Sequence, residues 1–382
     1  MQTATRNVLI VSASIGSGHT QAAQAVADEL GRCCPHIRVR VIDFMGEENS
    51  YLGILLKETY LKMLHISPNM YDWLYRWSHM PVQGSKVQNL LARLLKKNML
   101  RLIRCYQPDL IITTHPFPCG AAAHLKSIGK TGIPLAAVIT DFSVHRLWVY
   151  RQVDDYCVPN EETRLELVRQ GIRPERIHIT GIPLRADFAK PAGGSAIAVE
   201  LGLDLRQPVV LVMGGGLGLG GMGKAFFELN KIKLPLQLIV VAGQNAELRD
   251  SLQRIGEESE HMVKVLGFSD RIRELMDIAA VLITKPGALT VSEGMARGLP
   301  MLLYDSIPGQ EMDNAAYLAR QGAAFWVQQG EHLGDAVTGL LTNPALRSAI
   351  GARAGELGRP HSAAEVVRVL DLHLLHRNRS AK

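Results

Sequence analysis

Short apolar runs alternate with helical segments along this chain, and the alternation occurs twice. In the first half the apolar runs are residues 8–12, 39–44, 109–113, 135–140 and 155–158, and the segments between them, such as 20–30 and 51–106, have helical spacing. In the second half the apolar runs are residues 209–213, 237–242, 263–266, 281–284, 301–304 and 324–327. Strand–helix–strand order predicts a parallel sheet with helices on both faces. The sequence therefore predicts an α/β fold of two doubly wound, Rossmann-like domains.

The segment between the two halves has the composition of a linker. Residues 188–203 include Lys190-Pro191-Ala192-Gly193-Gly194-Ser195, and stretches rich in Pro and Gly interrupt regular structure. At 382 residues the chain also exceeds one ordinary core. We therefore predict a first domain at residues 1–188 and a second at 189–360. A C-terminal helix within 361–382 is expected to pack back on the first domain.

Cysteine usage and hydropathy favour a cytoplasmic protein. The five cysteines have no metal-binding or C-x-x-C spacing; they are Cys33, Cys34, Cys105, Cys119 and Cys157. No apolar run reaches the ~18 residues of a membrane span. The apolar N-terminal run is too short for a signal peptide and is typical of a first strand. Histidines and cysteines are scattered, so we expect no metal and no cofactor.

Basic residues are concentrated between residues 51 and 104. Nine Lys and Arg face two acidic residues there, a local excess of seven positive charges, whereas the whole chain carries only +6. Such a patch suits nucleic acid or an anionic membrane. The interleaved aromatic residues, among them Tyr71, Trp73 and Trp77, favour a membrane interface and no nucleic acid. The amphipathic helix 86–104 is also compatible with a sheet-covering helix whose basic face is solvated.

The first glycine turn, at residues 12–23, places Gly18 and His19 at the start of a helix. Glycine lets the backbone approach a ligand, so Gly18 is a candidate on the acceptor side. The turn is not a full G-x-G-x-x-G, but Asp43 at the end of the next strand keeps a dinucleotide site open. The helix dipole favours a neutral imidazole, which can act as a general base. His19 is alternatively a surface or capping residue.

A second glycine run spans residues 214–221. Gly216, Gly218 and Gly221 satisfy G-x-G-x-x-G, although in so glycine-rich a segment the match is nearly automatic. The amides of such a loop, including those of Gly215, Gly216 and Gly218, can wrap a diphosphate. The alternative is a mobile tight turn.

Residues 284–314 form the strongest constellation, a strand, a turn, a helix, a strand and a polar loop. Lys285 and the amides of Gly287, Ala288 and Leu289 would meet a phosphate, and Thr290 adds a hydroxyl. We predict a helix that opens near Thr290 and carries Glu293 in its first turn, where Glu293 can accept hydrogen bonds from ribose hydroxyls. A first-turn glutamate is also favoured by the helix dipole alone. The polar loop offers a sugar-binding set, or a solvated loop, of Gln310, Glu311 and Asn314.

Two further strand ends carry polar or aromatic candidates. Asp141, His145 and Arg146 follow the strand at 135–140 and would meet an acceptor or orient His19. Trp148 would touch lipid, and His115 ends another strand and would line the same site. Ordinary packing and surface roles are the alternative for each of them.

These segments together resemble the monogalactosyldiacylglycerol synthase and processive diacylglycerol glucosyltransferase family, in glycosyltransferase family 28. The matching segments are SASIGSGHTQAA, PDLIITTHPFP, TDFSVHRLW, TGIPLR, the GGG loop, TKPGALTVSEG and IPGQEMDN. The resemblance implies a GT-B fold, in which an acceptor domain and a UDP-sugar domain face each other across a cleft.

The resemblance also implies roles for individual residues. It gives His19 as the base, Glu293 as the ribose ligand, and Phe268 as a position whose backbone meets uracil. It implies that the glycines within 215–218 and residues 287–290 bind the diphosphate, and that the 310–314 loop binds the donor sugar. His145 and Trp148 fall where plant relatives engage membrane lipid. The turn at 284–290 resembles the peptidoglycan branch as much as the galactolipid branch, which leaves the sugar and the acceptor open.

The sequence therefore predicts an inverting glycosyltransferase that is peripheral to the cytoplasmic membrane face. It would move a hexose from UDP-glucose or UDP-galactose to diacylglycerol. Three alternatives stay open: a polyprenyl-linked or other glycolipid acceptor, a nucleotide-dependent oxidoreductase or epimerase, and a nucleotide-sugar sensor without catalysis.

Overall fold

The contacts within the chain divide it into two units. The computed structural model describes residues 6–14, 17–46, 81–190, 193–214, 221–306, 309–328 and 330–375. Unit 1 comprises Met1–Ala186, Pro308–Gln310 and His361–Lys382, and unit 2 comprises Asp187–Ile307 and Glu311–Pro360. The first boundary thus falls two residues before the position predicted from the linker composition.

Unit 1 is built around one parallel sheet. Its strands are β1 (Arg6–Ser12), β2 (Ile37–Asp43), β3 (Leu110–Thr113), β4 (Leu135–Val138), β5 (Asp155–Val158) and β6 (Ile177–Ile179). Its helices are α1 (Ser17–Cys33), α2 (Pro81–Tyr106), α3 (Pro116–Ser127) and α4 (Glu161–Arg169). The strand order is β2-β1-β3-β4-β5-β6, and each neighbouring pair is parallel. The sequence did not predict β6, which is a three-residue edge strand.

The apolar runs of unit 1 are buried on both faces of this sheet. In β1, Leu9 and Val11 pack with α2 and α3, whereas Val8 and Ile10 pack with α1. Because side chains alternate along a strand, a continuous apolar run supplies both layers at once. This explains why the strands read as unbroken apolar runs.

The C-terminal helix α13 (Ser362–Leu375) belongs to unit 1. Val366, Val367 and Leu370 of this helix lie in the core layer that also contains the α1 side chains. The Ser362 hydroxyl accepts a hydrogen bond from the backbone N–H of Leu184 at 3.0 Å. The chain therefore returns to its first unit after completing the second.

Unit 2 contains the second parallel sheet. Its strands are β7 (Val209–Met213), β8 (Gln237–Val241), β9 (Met262–Leu266), β10 (Val281–Thr284), β11 (Met301–Leu303) and β12 (Phe325–Trp326). Its helices are α5 (Ser195–Leu201), α6 (Met222–Leu229), α7 (Ala246–Glu257), α8 (Ile272–Ile278), α9 (Ala288–Ala296), α10 (Gln310–Arg320), α11 (Leu333–Thr342) and α12 (Pro344–Leu357). The first residue of α10, Gln310, is assigned to unit 1 and the rest of the helix to unit 2. The strand order is β12-β11-β10-β7-β8-β9, again parallel throughout.

Each sheet reverses its winding direction at one place. In unit 1 the chain leaves β1 for β2 on one side and returns to β3 on the other. In unit 2 it proceeds from β7 to β8 and β9, and then crosses to β10 on the opposite side. Open α/β sheets bind ligands at the carboxyl ends of the strands at such a reversal. Ligand sites are therefore expected at the carboxyl ends of β1 and β3 in unit 1, and of β7 and β10 in unit 2.

Within the described ranges, no helix is both long enough and apolar enough to cross a bilayer.

Candidate active site

His19 lies at the winding reversal of unit 1, in the first turn of α1. Its Nδ1 is 2.9 Å from the carbonyl oxygen of Thr114, which follows β3, and 2.6 Å from the hydroxyl oxygen of Thr140, which follows β4. A carbonyl oxygen only accepts, so Nδ1 carries the hydrogen and donates it. The lone pair of the neutral ring is therefore on Nε2.

The surroundings of His19 keep its ring neutral. Burial lowers the pKa of His19 to about 4, and the hydrogen bond to Thr114 opposes this shift without overcoming it. The side chain still retains partial exposure to solvent. The sequence predicted a neutral imidazole because of the helix dipole, and in the structure burial is what lowers the pKa of the ring. A neutral, oriented imidazole has the properties of a general base.

His115 lies beside His19, and His145 lies near His115. The rings of His19 and His115 meet edge to face with centroids 4.7 Å apart. His115 caps α3, since its Nδ1 accepts a hydrogen bond from the backbone N–H of Phe117 at 3.2 Å. Burial holds the pKa of His115 well below its ordinary value, and the proximity of His19 and His145 lowers it further. Unit 1 thus brings together His19, His115 and His145. The first two are neutral rings at neutral pH.

The orientation of His19 depends on residues that the sequence did not single out. We expected Asp141, His145 or Arg146 to orient the ring, and the structure assigns this role to Thr114 and Thr140. Thr114 directly follows β3 and Thr140 lies two residues after β4, and both strands are buried. The sequence signal that could have identified them is a polar residue just after the carboxyl end of a buried strand.

Trp148 is part of the core of unit 1. It closes a 3₁₀ turn, Arg146–Trp148, and its side chain is fully buried at 0% exposure. The prediction that Trp148 touches lipid is therefore wrong, because a fully buried ring offers no surface. The neighbouring Asp141 is also buried, and its Oδ2 accepts a hydrogen bond at 3.2 Å from the amide of Gln310, which belongs to unit 1.

Asp43, the acid that kept a dinucleotide site open, is bound by the backbone. Its Oδ1 accepts hydrogen bonds from the N–H groups of Ser14 at 3.0 Å and Met45 at 3.1 Å. The carboxylate thus ties the end of β1 to the end of β2. Engagement of Asp43 by the protein favours a structural role over contact with a ribose.

In unit 2 the N-terminus of α9 lies at the winding reversal, directly after β10. The helix begins at Ala288, with Gly287 as its N-cap and no side-chain cap. The prediction that it opens near Thr290 with Glu293 in its first turn is wrong, because the cap follows Pro286 directly and Glu293 falls in the second turn. The first amides of a helix have no acceptor within it, so those of Ala288, Leu289 and Thr290 point outward as donors.

Lys285 precedes the N-terminus of α9 and pairs with Asp305, an acid that the sequence analysis did not predict as a site residue. Its side chain is 10% exposed, and Nζ lies 3.3 Å from Oδ2 of Asp305. The same oxygen accepts a hydrogen bond from the backbone N–H of Gly221 at 2.6 Å. Lys285, Asp305 and Gly221 therefore meet at one point at the carboxyl edge of the second sheet.

The remaining predicted donor-site residues are placed as follows. Asn314 is buried, and its amide donates to the carbonyl of Pro286 at 3.1 Å, which ties α10 to the turn after β10. Glu293 is buried, Glu311 is partly exposed, and Phe268 is 64% exposed after β9. Gly309 adopts φ 96°, a conformation that favours glycine, directly before α10. Gly18 is the second residue of α1.

Several predicted residues lie outside the described part of the chain. These are Gly215, Gly216, Gly218, Tyr71, Trp73 and Trp77. As for metals, no group of three or more His, Cys, Asp or Glu side chains suited to holding an ion occurs among the residues that the structure describes.

Known structures share this arrangement of two parallel sheets. MurG from Acinetobacter baumannii matches with a TM-score of 0.63 at 18% identity, over 96% of this chain and 99% of that one. HepE from Anabaena, solved in complex with UDP-glucose, matches with a TM-score of 0.56 at 16% identity, over 96% and 99%. The two Rossmann-like units define the GT-B class of glycosyltransferase fold.

Sequence comparison identifies the family within that class. The family model described as monogalactosyldiacylglycerol (MGDG) synthase matches residues 19–184, and the glycosyltransferase family 28 C-terminal domain matches residues 209–349. A processive diacylglycerol beta-glucosyltransferase from Bacillus pumilus is 30% identical over 364 residues, which cover 95% of this chain and 94% of the relative. The chain belongs to the diacylglycerol glycosyltransferase family of these proteins, within glycosyltransferase family 28.

Proposed function

We propose that this protein transfers a hexose from UDP-glucose or UDP-galactose to diacylglycerol, with inversion at the anomeric carbon. The observation that carries the proposal is the state of His19, which is neutral, donates from Nδ1 to Thr114 and keeps its lone pair on Nε2. The names of the curated relatives support diacylglycerol as the acceptor and a hexose as the transferred group. The UDP-glucose complex of HepE supports a UDP-sugar donor for this fold.

In the proposed reaction the acceptor hydroxyl attacks C1 of the sugar from the side opposite UDP. The new C1–O bond forms as the bond from C1 to the β-phosphate oxygen breaks, and the electron pair leaves with UDP. His19 Nε2 takes the hydroxyl proton and later releases it to water. A base with a pKa of about 4 is weak, so it accepts this proton late, once bond formation has made the hydroxyl acidic. His115, His145, Asp141 and Gly18 are proposed to contact the acceptor.

Unit 2 is proposed to hold the donor. The amides at the start of α9 and the ammonium of Lys285 would stabilise the departing diphosphate, with no catalytic metal or cofactor. Glu293 would accept from the ribose hydroxyls, and the backbone at Phe268 would meet uracil. The sugar would contact Gln310 and Glu311, while Asn314 holds the turn behind Lys285 in place. The glycine loop 215–218 would complete the diphosphate site.

Helix α2 supports a peripheral location at an anionic, cytoplasmic membrane face. Leu90 and Leu94, one turn apart, are 58% and 47% exposed, and Arg93 and Lys97 lie on the same helix. The pKa of His124 is lowered by burial first, and then by the charges of Lys96 and Arg93. Exposed leucines among basic side chains suit the boundary between lipid headgroups and acyl chains. We propose no nucleic-acid partner.

The proposal is tested by incubating the protein with labelled UDP-sugars and vesicles. The donors are UDP-glucose, UDP-galactose and UDP-N-acetylglucosamine, and the vesicles contain phosphatidylglycerol with or without diacylglycerol or a polyprenyl phosphate. We expect labelled glycosyldiacylglycerol whose anomeric configuration is opposite to that of the donor. Transfer to the polyprenyl lipid alone would reassign the acceptor. UDP-sugar binding without any transfer would indicate a sensor, and thermal stabilisation by NAD but not by UDP would indicate an oxidoreductase.

A further inference from the structure

Asp305 combines an unusual backbone conformation with solvent exposure. It follows β11 and adopts φ 48°, in the left-handed region that few residues other than glycine occupy. Aspartate tolerates this region better than most residues, and such conformations are concentrated at functional sites. Its side chain is 46% exposed, so the carboxylate is accessible from solvent.

One carboxylate oxygen of Asp305 occupies a small anion site. Oδ2 accepts a hydrogen bond from the backbone N–H of Gly221 at 2.6 Å and lies 3.3 Å from Nζ of Lys285. Gly221 is the N-cap of α6, so this N–H belongs to the positive end of a helix. A helix-terminal amide and an ammonium group are the partners that proteins use for phosphate oxygens.

The environment of Lys285 explains why an anion is needed there. Its side chain is only 10% exposed, whereas that of Asp305 is 46% exposed. A buried ammonium without a negative partner is strongly destabilising, so Lys285 needs an anion whether or not a ligand is present. Asp305 is more exposed than its partner and can turn away into solvent.

We propose that Asp305 is an internal anion that occupies the position of a donor phosphate oxygen and is displaced when a nucleoside diphosphate binds. This inference rests on the proposed function, which assigns Lys285 and the glycine loop 215–218 to the donor diphosphate. Before a ligand binds, the carboxylate neutralises Lys285 and accepts the hydrogen bond from Gly221 at the start of α6. On binding, the diphosphate takes over both contacts and the carboxylate moves out. Asp305 therefore competes with the diphosphate and weakens its affinity.

Tyr304 directly precedes Asp305 in the chain and lies in the core of unit 2. Its hydroxyl is buried and has no hydrogen-bond partner among the described residues. Burial, and secondarily the charge of Asp305, raises the pKa of this hydroxyl, which therefore stays protonated and can donate. Tyr304 therefore anchors the chain before Asp305 in the core of unit 2.

The test measures the binding of UDP and of uridine by calorimetry, with wild-type protein, Asp305→Asn and Asp305→Gly. Asparagine and glycine both accept a positive φ, so neither variant should strain the backbone, although each removes the anion beside Lys285 and should lower the thermal stability of the ligand-free protein. We expect each variant to bind UDP roughly tenfold more tightly, because a competing like charge has been removed. Uridine, which has no phosphate, should bind all three proteins equally. The control Asp335→Asn, an exposed acid on α11, should change neither affinity.

The outcomes separate this inference from the proposed function. If wild-type protein binds UDP and both Asp305 variants bind it equally or more weakly, competition by Asp305 is refuted and the proposed function stands. If neither wild-type protein nor any variant binds UDP, both proposals are wrong. If the variants gain equally for uridine and UDP, the effect is not specific to phosphate and the inference fails.

Discussion

His19 and Thr114 are joined by two hydrogen bonds that run in opposite directions. The Nδ1–H of His19 donates to the carbonyl of Thr114 at 2.9 Å, and the hydroxyl of Thr114 donates to the carbonyl of His19 at 3.0 Å. The first bond selects the ring tautomer, and the second fixes the start of α1 against the end of β3. A substitution at position 114 therefore leaves the bond from Nδ1 in place, because a main-chain carbonyl accepts it, and removes only the bond that the hydroxyl donates.

Replacement of His19 by alanine should abolish sugar transfer while preserving donor binding. The substitution removes the proposed base, and removal of a general base typically lowers kcat by about 10²–10⁴-fold. The UDP affinity, measured by calorimetry, should stay within about twofold because the proposed donor site lies in unit 2. The exposed His36→Ala in the same unit is the matched control. Near-normal turnover of His19→Ala would show that another group is the base.

Replacement of Thr140 by valine should impair catalysis without changing donor binding. Valine keeps the shape of threonine but removes the oxygen that lies 2.6 Å from His19 Nδ1. The ring loses one of its two anchors, so we expect kcat to fall about tenfold, with the KM for the UDP-sugar nearly unchanged. Thr140→Ser retains the hydroxyl and should recover most of the rate. Equal losses in the valine and serine variants would indicate a packing defect.

The contact between His373 and Asp155 should make stability depend on pH. The Asp155 carboxylate raises the pKa of His373 on α13, and the hydrogen bonds from His178 and His373 lower the pKa of Asp155 to about 2 despite its burial. A raised pKa contributes stability that is fully present below the unfolded value of about 6.5 and is lost as pH rises through the folded value. The lowered pKa of Asp155 contributes stability that is present above about pH 4, so this part does not change between pH 5.5 and pH 8.5.

Thermal unfolding of wild-type protein and His373→Gln at pH 5.5 and pH 8.5 measures this effect. We expect the variant to lose roughly 1–3 °C more at pH 5.5 than at pH 8.5, as for an interaction of under about 1 kcal/mol. His36→Gln should show no such difference between the two pH values. A larger loss at pH 8.5 than at pH 5.5 would contradict the direction of the pKa shift.

Substitution of the exposed leucines of α2 should weaken membrane association. Leu90→Gln combined with Leu94→Gln removes apolar surface that is already in solvent, so the fold should be unaffected. Sedimentation with phosphatidylglycerol vesicles should show binding weakened by about tenfold or more, since full burial of a leucine contributes roughly 1.5–3 kcal/mol. Leu205→Gln combined with Leu346→Gln, two exposed leucines of unit 2, is the control pair. Equal losses in both pairs would argue against α2 as the contact.

The fold was largely predictable because its signal is local. The apolar runs of β1, β7 and β10 are recognisable from a few consecutive residues, and parallel strands buried on both faces require such runs. Two features escaped prediction. β6 is too short to show a pattern, and α9 begins two residues before its expected start because Gly287 serves as the cap.

The candidate site was predictable only in part. Glycine turns after buried strands indicated His19 and the start of α9, since strand ends and helix starts are adjacent in sequence. The lipid contact predicted for Trp148 was wrong because the sequence around an aromatic residue after a strand does not show whether its ring faces solvent or the core. Asp305 was missed because nothing near it in sequence shows that its carboxylate meets Gly221 and Lys285.

The sequence by itself determined that the chain forms two parallel α/β units. It also determined that His19 lies at the start of a helix and that the 284–314 segment contains the start of another. Both depend on spacing within short segments. Only the tertiary structure decided what each side chain contacts. The partners of His19 Nδ1 are 95 and 121 residues away, and their approach follows from the order of β1, β3 and β4 in the sheet. Hydrogen bonds over such separations depend on which strands become neighbours, and no local pattern records that choice.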